Sequence, residues 1–490
     1  MTNPAPKFPS RKLAIALVLL ITLVGLGLRF YKVSNQALWT DEVFSLISAR
    51  VPLNQIVRVC AQLNNCSPAY FLLLRAVAGE SDSNLEFRAR LISVLTGALS
   101  IPVFVAVVYL WRRRADAALA AGALLAINPM HIWYSQETRA YASMLLFGLL
   151  ALLFFEIARE RRRALWWIAY IICSLLAAAL HKTGIIFSGA CSLWHAWQLL
   201  RTRQRPTILL VHLVVFVIAV LLLFPKSYPP DLPYRRPFSV LEIPYTLVTY
   251  LGGYSFGPSL ADIQAHGPLR AALANWKELA VVGVVLALIL SAYVSNFQSL
   301  ISSKPAALLL LSMTMAIGYS AVAGFPYNIR YTLPALLGFV AFAAIPFLNV
   351  RHGLLARATL LSVFIVSLWA DYQWYYSPEY RKEDTRSAAQ WLIKNEAHFA
   401  SWSIVPAYSF AMVNFYLQVL GHPEITSRLQ MARENQTTSF PPVPDVFIVG
   451  RRDRILRPEE TIAAYQTAVG NRKPPDSVAG LQIYSRNPSP

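Results

Sequence analysis

Charge is what this sequence has least of. Of its 490 residues 14% are charged, 25 of them acidic, against 56% that are hydrophobic. Soluble chains carry roughly 25% charged residues, so this chain lacks the polar surface to cover itself, and a soluble multidomain protein is excluded. The same composition excludes disorder, collagen and a coiled coil. Cysteine is scarce too, at four residues. Cys173 and Cys191 fall inside apolar stretches and read as small hydrophobes, whereas Cys60 and Cys66 stand in a polar loop where an oxidising compartment would permit them to join. No second Cys or His cluster stands beside any pair, so zinc-ligand spacing is missing. Internal repeats are missing as well, which argues against the repeated halves common in transporters.

What is there is a series of apolar runs. A hydrocarbon core of about 30 Å takes about 20 apolar residues per helix. Runs of that order lie near 12–31, 90–111, 116–134, 141–158, 165–181, 183–200, 207–225, 277–295, 306–325, 332–350 and 357–371. They predict a polytopic α-helical membrane protein of about eleven transmembrane helices, to within one or two, since some runs are short or carry Pro and Gly, notably around Asn128-Pro129. The first run follows Lys7, Arg11 and Lys12 but ends without a small-residue cleavage site, so it is kept as a span. Aromatic residues, at 12%, suit belts at the membrane interface.

The net charge of +19 would suggest nucleic acid in a soluble protein, so its placement decides the matter. Alternate connections hold Arg112 to Arg114, then Arg159 with Arg161 to Arg163, then Arg201, Arg203 and Arg205, then Lys304, then Arg351 and Arg357. The short connections between them hold one basic residue apiece: Arg139, Lys182 and Arg330. Cytoplasmic loops are enriched in Lys and Arg. The asymmetry therefore predicts a multi-pass plasma membrane protein with a cytoplasmic amino terminus and an outside carboxy terminus, and nucleic acid becomes unnecessary.

Residues 1–371 form the expected transmembrane domain, with long outside loops at 32–89 and 226–276, and residues 372–490 form an outside domain. Loops of that length usually carry function. In the first, Val43 to Ile47 and Tyr70 to Val77 are apolar but too short to span, which predicts helices along the membrane surface. The second opens with Pro225, Pro229, Pro230, Pro233 and Pro237, which excludes regular helix or central strand. In the terminal segment Asp384 is positioned to cap a helix, Ser403 to Tyr408 reads as a strand, and Ser409 to Leu420 reads as a helix. Asp445 to Gly450 reads as a buried strand before a helix opened by Pro458 and a last strand near Leu481 to Ser485. Alternation predicts a small α/β domain whose Gly450-Arg451-Arg452 turn is basic.

Four polar clusters open on the outside face. The first is Trp39-Thr40-Asp41-Glu42, two adjacent carboxylates beside an aromatic; alternatively Thr40 caps a helix and the acids favour its dipole. The second runs from Asn128-Pro129 through Trp133-Tyr134-Ser135-Gln136-Glu137-Thr138-Arg139-Ala140-Tyr141. Its bland reading makes Ser135 a cap, Arg139 a snorkelling anchor and the aromatics belt residues. His181-Lys182 and Arg330-Tyr331 are the third and fourth. Together they bring carboxylates and lone cations to one membrane face, which suits a phosphate at headgroup depth and a base for an attacking hydroxyl.

At these residues the chain resembles the membrane-embedded glycosyltransferases of the GT-C type, the bacterial relatives of dolichyl-phosphate-mannose protein mannosyltransferases and of the aminoarabinose transferases. Trp39-Thr40-Asp41-Glu42 resembles their acidic signature after the first span, and Asn128 to Tyr141 their second outward loop. Arg330-Tyr331 with Pro334 resembles their late Arg-Tyr element, and the stretch from Arg386 to Leu392 the helix opening the exported domain. The resemblance implies a polyprenyl-phosphate-linked sugar donor and an inverting transfer on the outer face to a lipid, glycan or protein acceptor. Asp41 would be the general base, with Glu42 sharing that duty or holding the loop; Arg139, Lys182, Arg330 and Tyr331 would face the donor phosphate. Glu137 would orient Arg139, with Tyr141, His181 and Trp39 in support, and membrane lipids surround the spans. Where many relatives carry a His-Pro-Pro element this chain reads Asn64-Asn65-Cys66-Ser67-Pro68-Ala69-Tyr70, and long protein-binding modules are missing, so lipid or polysaccharide acceptors are at least as strongly implied as proteins. No cofactor is certain; a divalent cation stays open, although no cluster has metal-ligand spacing. The alternative reading is a transporter or a lipid- or polyprenyl-binding protein without transferase activity.

Overall fold

The computed structural model describes residues 10–63, 68–202, 242–259, 266–294, 304–323, 327–344, 353–431, 443–450, 458–469, 476–478 and 481–486, with Val214, Val217, Val240, Asp262 and Ile263. The expected span at 207–225, the proline-rich stretch that follows it, Cys66 and the Arg451-Arg452 turn lie outside the described residues.

The chain is mainly helical. The helix α1 (Arg11–Phe30) starts where the Ser10 side chain accepts from the Leu13 N–H, and it is apolar on nearly all sides. Three helices fill the first outside loop, α2 (Thr40–Arg50), α3 (Leu53–Leu63) and α4 (Pro68–Ala78). In α2 Val43 and Leu46 are buried while Phe44 and Ile47 face outward, so its apolar piece is two-sided and too short to span. The long helix α5 (Leu85–Arg112) follows.

The next span is broken. The helices α6 (Ala115–Ala126) and α7 (Pro129–Ser135) meet at 58°, because Pro129 cannot donate to the ladder and the Asn128 side chain caps the new helix at His131 N, 2.9 Å away. The helix α8 (Tyr141–Arg161) packs on α9 (Ala164–Leu180), which turns tightly into α10 (Gly184–Thr202). A Cβ on Gly184 would lie 2.2 Å from the Ala177 carbonyl oxygen, so only glycine permits that turn. The later helices are α11 (Glu242–Gly252), α12 (Pro268–Ala274), α13 (Trp276–Val294), α14 (Lys304–Ala323), α15 (Leu333–Ala344) and α16 (Gly353–Tyr376).

Four of these helices are long and apolar enough to cross a membrane, or six if each bent pair is one span, by length and composition among the described residues. The sequence runs predicted about eleven, a count that includes the run at 207–225 outside the described residues. The run at 165–181 forms a helix of 17 residues, the run at 332–350 opens with a 3-10 turn (Ile329–Thr332), and α10 carries His195, Gln198 and Arg201. The last run continues past residue 371 to Tyr376.

After α16 come α17 (Thr385–Lys394), β1 (Trp402–Val405), α18 (Ala407–Val419), β2 (Leu429–Met431), β3 (Val446–Val449), α19 (Pro458–Val469), β4 (Asp476–Val478) and β5 (Leu481–Ser485). The sheet order is β2-β1-β3-β5-β4; β1 is parallel to β2 and β3, and β5 is antiparallel to β3 and β4. The strand expected to reach Tyr408 stops at Val405, because Pro406 ends the ladder and begins the turn into α18. One cluster of buried apolar residues runs from Leu38 through Leu336 to Ile404 and Ile448, so the helical bundle and one face of the sheet share a core.

Candidate functional site

Trp39 is the cap residue of α2, one position before the expected Thr40, and this puts Asp41 and Glu42 in the first helical turn. Both carboxylates gain from the helix dipole there, yet their surroundings separate them. The Asp41 carboxylate is partly exposed and accepts from Arg330 at 2.6 Å. Glu42 is fully buried and takes two hydrogen bonds from Arg90 at 2.8 Å, one from Thr138 N at 2.8 Å and one from Trp39 N at 3.2 Å. The Lys382 ammonium lies 3.5 Å from the same carboxylate. Glu42 therefore holds the first and second outward connections together, and Asp41 alone of the two faces the open side.

Arg139 comes from the second connection. It donates to Ser45 Oγ at 3.1 Å, and its guanidinium lies 5.9 Å from the Tyr141 ring centroid. Ser45 in turn donates to the Asp41 carbonyl at 2.7 Å. Burial raises the Asp41 carboxyl, and the guanidiniums of Arg139 and Arg330 outweigh it, holding the group below the usual carboxylate range. For Glu42 burial opposes the charge as well, but Arg90 and Lys382 hold its carboxyl down to about 2.

Glu137 was expected to orient Arg139. It is buried, and neither carboxylate oxygen has a hydrogen-bond partner among the described residues. Burial pushes its carboxyl up, which Lys382 partly opposes, so the neutral acid is favoured relative to an exposed glutamate. In the turn after α7 Arg139 N bonds back to the Glu137 carbonyl at 2.7 Å.

His181 is buried against Tyr141, with ring centroids 4.7 Å apart. Its Nδ1 accepts from Thr183 N at 3.2 Å; burial and the nearby Arg139, Arg330 and Lys182 push the imidazole down to about 3, so it is neutral. Lys182 and Tyr331 are half-buried at the ends of their connections. Arg330 lies 6.0 Å from the Trp39 ring centroid. The connections that carry Arg139 and Arg330 thus meet that of Asp41 at one carboxylate, and His181 packs behind them on Tyr141.

Three contributors were not singled out. Arg90, near the start of α5, donates to Glu42 and to the carbonyls of Val33, Gln36 and Ala37 at 2.6 to 3.0 Å. Arg29, fully buried in the last turn of α1, donates to His131 Nδ1 at 2.7 Å and to the Leu125 and Ala126 carbonyls at the end of α6. A charge at the end of an apolar run was the available signal for both. Lys382 comes from beyond the last span and sits 5.5 and 5.0 Å from the Trp39 and Trp133 ring centroids; nothing local in the sequence marks it.

The donor set does not fit a divalent cation as arranged. Asp41 is engaged by Arg330 and Glu42 by Arg90, which leaves Glu137 alone with open oxygens. Among the described residues, three metal-ligand groups converge at Glu396, His422 and Glu424, where Arg428 already pairs with Glu396. No step is routed through a metal.

No protein-family model and no curated protein matches the sequence. Solved structures do match. ArnT from Cupriavidus metallidurans in the apo state is 13% identical, with TM-score 0.53 over 96% of this chain and 98% of that one. The oligosaccharyltransferase AglB from Archaeoglobus fulgidus, in complex with an inhibitory peptide and a dolichol-phosphate, is 12% identical, with TM-score 0.53 over 97% of this chain and 74% of that one. The Archaeoglobus fulgidus oligosaccharyltransferase in complex with Zn and sulfate is 13% identical, with TM-score 0.51 over 89% of this chain and 68% of that one. Over nearly its whole length, this chain has the fold of the GT-C type membrane glycosyltransferases.

Proposed function

We propose that the protein is a glycosyltransferase that moves a sugar from a polyprenyl-phosphate-linked donor to a lipid, glycan or protein acceptor at the outer face of the plasma membrane. The observation that carries this reading is the Asp41–Arg330 pair, closed at 2.6 Å across 289 residues of sequence separation, with Arg139 beside it. AglB, which shares the fold, is seen with a dolichol-phosphate, and this supports a prenyl phosphate ligand here.

In this reading the donor phosphate draws Arg330 and Arg139 to itself, since guanidinium matches phosphate bidentately. Asp41 then loses the charges that hold its carboxyl low and becomes a stronger base. An acceptor hydroxyl oxygen attacks the anomeric carbon; its proton passes to Asp41. The bond from that carbon to the phosphate oxygen breaks, and the polyprenyl phosphate leaves with the electron pair, stabilised by Arg139, Arg330 and Lys182. The configuration inverts in this single displacement. Glu42 holds the loop rather than sharing the base role, because its lone pairs are engaged by Arg90 and Thr138.

Mass spectrometry of lipid-linked sugars in a deletion strain, complemented with wild type or Asp41→Asn, tests the proposal. Wild type should clear an accumulated donor and Asp41→Asn should not, at equal membrane abundance. Clearance by the variant would overturn the base assignment.

A further inference from the structure

The segment from Tyr31 to Leu38, between α1 and α2, and the segment from Arg381 to Asp384, after α16, enclose a cavity of about 110 Å³. A single water needs roughly 10–15 Å³ by the same measure, so the space takes a polyatomic group. Lys32, Arg90, Arg381 and Lys382 line it, against one carboxylate, Asp384. That carboxylate is engaged as the cap of α17, accepting from Ser387 N at 3.0 Å and Ser387 Oγ at 2.7 Å. Arg90 is engaged too, by Glu42 and three carbonyls, and serves as wall.

The other three cations retain donors. Arg381 is exposed, and its guanidinium has no partner among the described residues. Lys32 Nζ donates to the Tyr375 carbonyl at 3.1 Å and lies 3.7 Å from the Tyr376 ring centroid; an ammonium has three N–H groups, so donors remain. Lys382 Nζ is 3.5 Å from Glu42, the outer limit of a hydrogen bond. Positive charge in a partly enclosed site costs stability unless an anion meets it.

The surroundings give the depth. Tyr31, Trp369, Tyr372 and Tyr376 are all exposed around the ends of α1 and α16 beside this cavity, and Trp369, Tyr372 and Tyr376 stack in series, with successive centroids 5.5 and 5.0 Å apart. Tryptophan and tyrosine in such a belt mark the membrane–water boundary. This belt is the ground for inferring that the cavity opens at headgroup depth.

We propose that this cavity is an anion site, separate from the Asp41–Arg330 pair, that holds the phosphate of an amphiphile lodged in the leaflet on this side. Phosphate is the anion that fits: Arg381 supplies a planar fork and the two ammoniums supply point charges to its oxygens. Lys382 stands between the two sites, facing the cavity on one side and Glu42, the neighbour of Asp41, on the other. The assignment does not depend on the transferase reading.

The test uses full-length protein in phosphatidylcholine nanodiscs with and without dioleoyl phosphatidic acid, with retained lipid measured by native mass spectrometry. Wild type should retain phosphatidic acid over phosphatidylcholine. Lys32→Gln combined with Arg381→Gln should lower that retention by about tenfold or more, as expected for loss of one charge-assisted hydrogen bond. The charge-preserving pair Lys32→Arg with Arg381→Lys should restore most of it, which a folding defect would not. Inorganic phosphate is added as a competitor. Displacement identifies the phosphate group alone as the ligand, and failure to displace identifies the membrane-held headgroup; both support the site. Equal retention of the two lipids by wild type, or unchanged retention by the Gln pair, overturns it. Asp41→Asn should retain phosphatidic acid normally while losing sugar transfer, so the two proposals fail separately.

Discussion

At the scale of single residues, two adjacent carboxylates are given opposite work by what surrounds them. Asp41 is half-open and paired with one movable guanidinium, whereas Glu42 is sealed by Arg90, Thr138 and Trp39. Asp41→Asn should therefore lower transfer about 10²- to 10⁴-fold, the usual contribution of a general base, with membrane abundance unchanged; quantitative blotting beside an in vitro transfer assay checks it. Arg330→Gln should raise KM for the donor. It should also move the acidic limb of kcat/KM to higher pH, because Arg330 is one of the two charges that hold Asp41 low and burial alone raises it. An unmoved limb in the pH profile would remove Asp41 from the role of base. Glu42 contributes stability of another kind. Its carboxyl is depressed to about 2, so the contribution is present above an ordinary glutamate value of about 4.3 and is lost as pH falls from there toward 2. Glu42→Gln strands Arg90 in the interior and should cost about 3–5 kcal/mol at neutral pH, read as a lowered Tm in detergent. The adjacency of the two acids was legible in the sequence, but their division of labour was not, since it depends on Arg90, 48 positions away.

At the scale of elements, the site is held by a span that breaks and by helices that approach closely. The single run read at 116–134 is divided at Asn128-Pro129 into α6 and α7, and the structure shows what supports the break: Arg29 donates to the carbonyls of Leu125 and Ala126. The packing of α14 on α15 depends on Gly338, where a Cβ would stand 2.6 Å from Leu309 N and 2.7 Å from the Pro305 carbonyl oxygen. Small residues at such contacts let backbones approach. Gly338→Leu should push these helices apart and displace Arg330, which lies three residues before α15. The expected outcome is a lower Tm together with weaker donor binding, measured by thermal unfolding and a binding isotherm; a variant with wild-type Tm would refute the close approach. Hydrophobic runs located these helices well, but a run records apolar content and says nothing of whether its helix is straight or long.

At the scale of the whole molecule, the segments that follow the last long helix are bound into the site. Arg386 pairs with Glu86 at 2.9 Å, and Tyr416 accepts from Leu38 N at 2.7 Å while donating to Glu86 at 3.1 Å. These contacts fix the stretch that carries Trp39 and Asp41. Arg386→Met combined with Tyr416→Phe should raise amide exchange across residues 31–42, followed by hydrogen-exchange mass spectrometry; unchanged protection there would mean α17 and α18 do not brace the first connection. The sequence by itself determined the membrane character, the asymmetry of basic residues and the four polar connections, because composition, charge placement and apolar periodicity are properties of the chain taken locally. The tertiary structure alone decided that Arg90 and Lys382 face Glu42, that the Glu137 carboxylate has no hydrogen-bond partner among the described residues, and that a basic cavity lies between the first connection and the segment after α16. Those facts depend on which distant residues share one neighbourhood, and only the packing of the whole chain sets that.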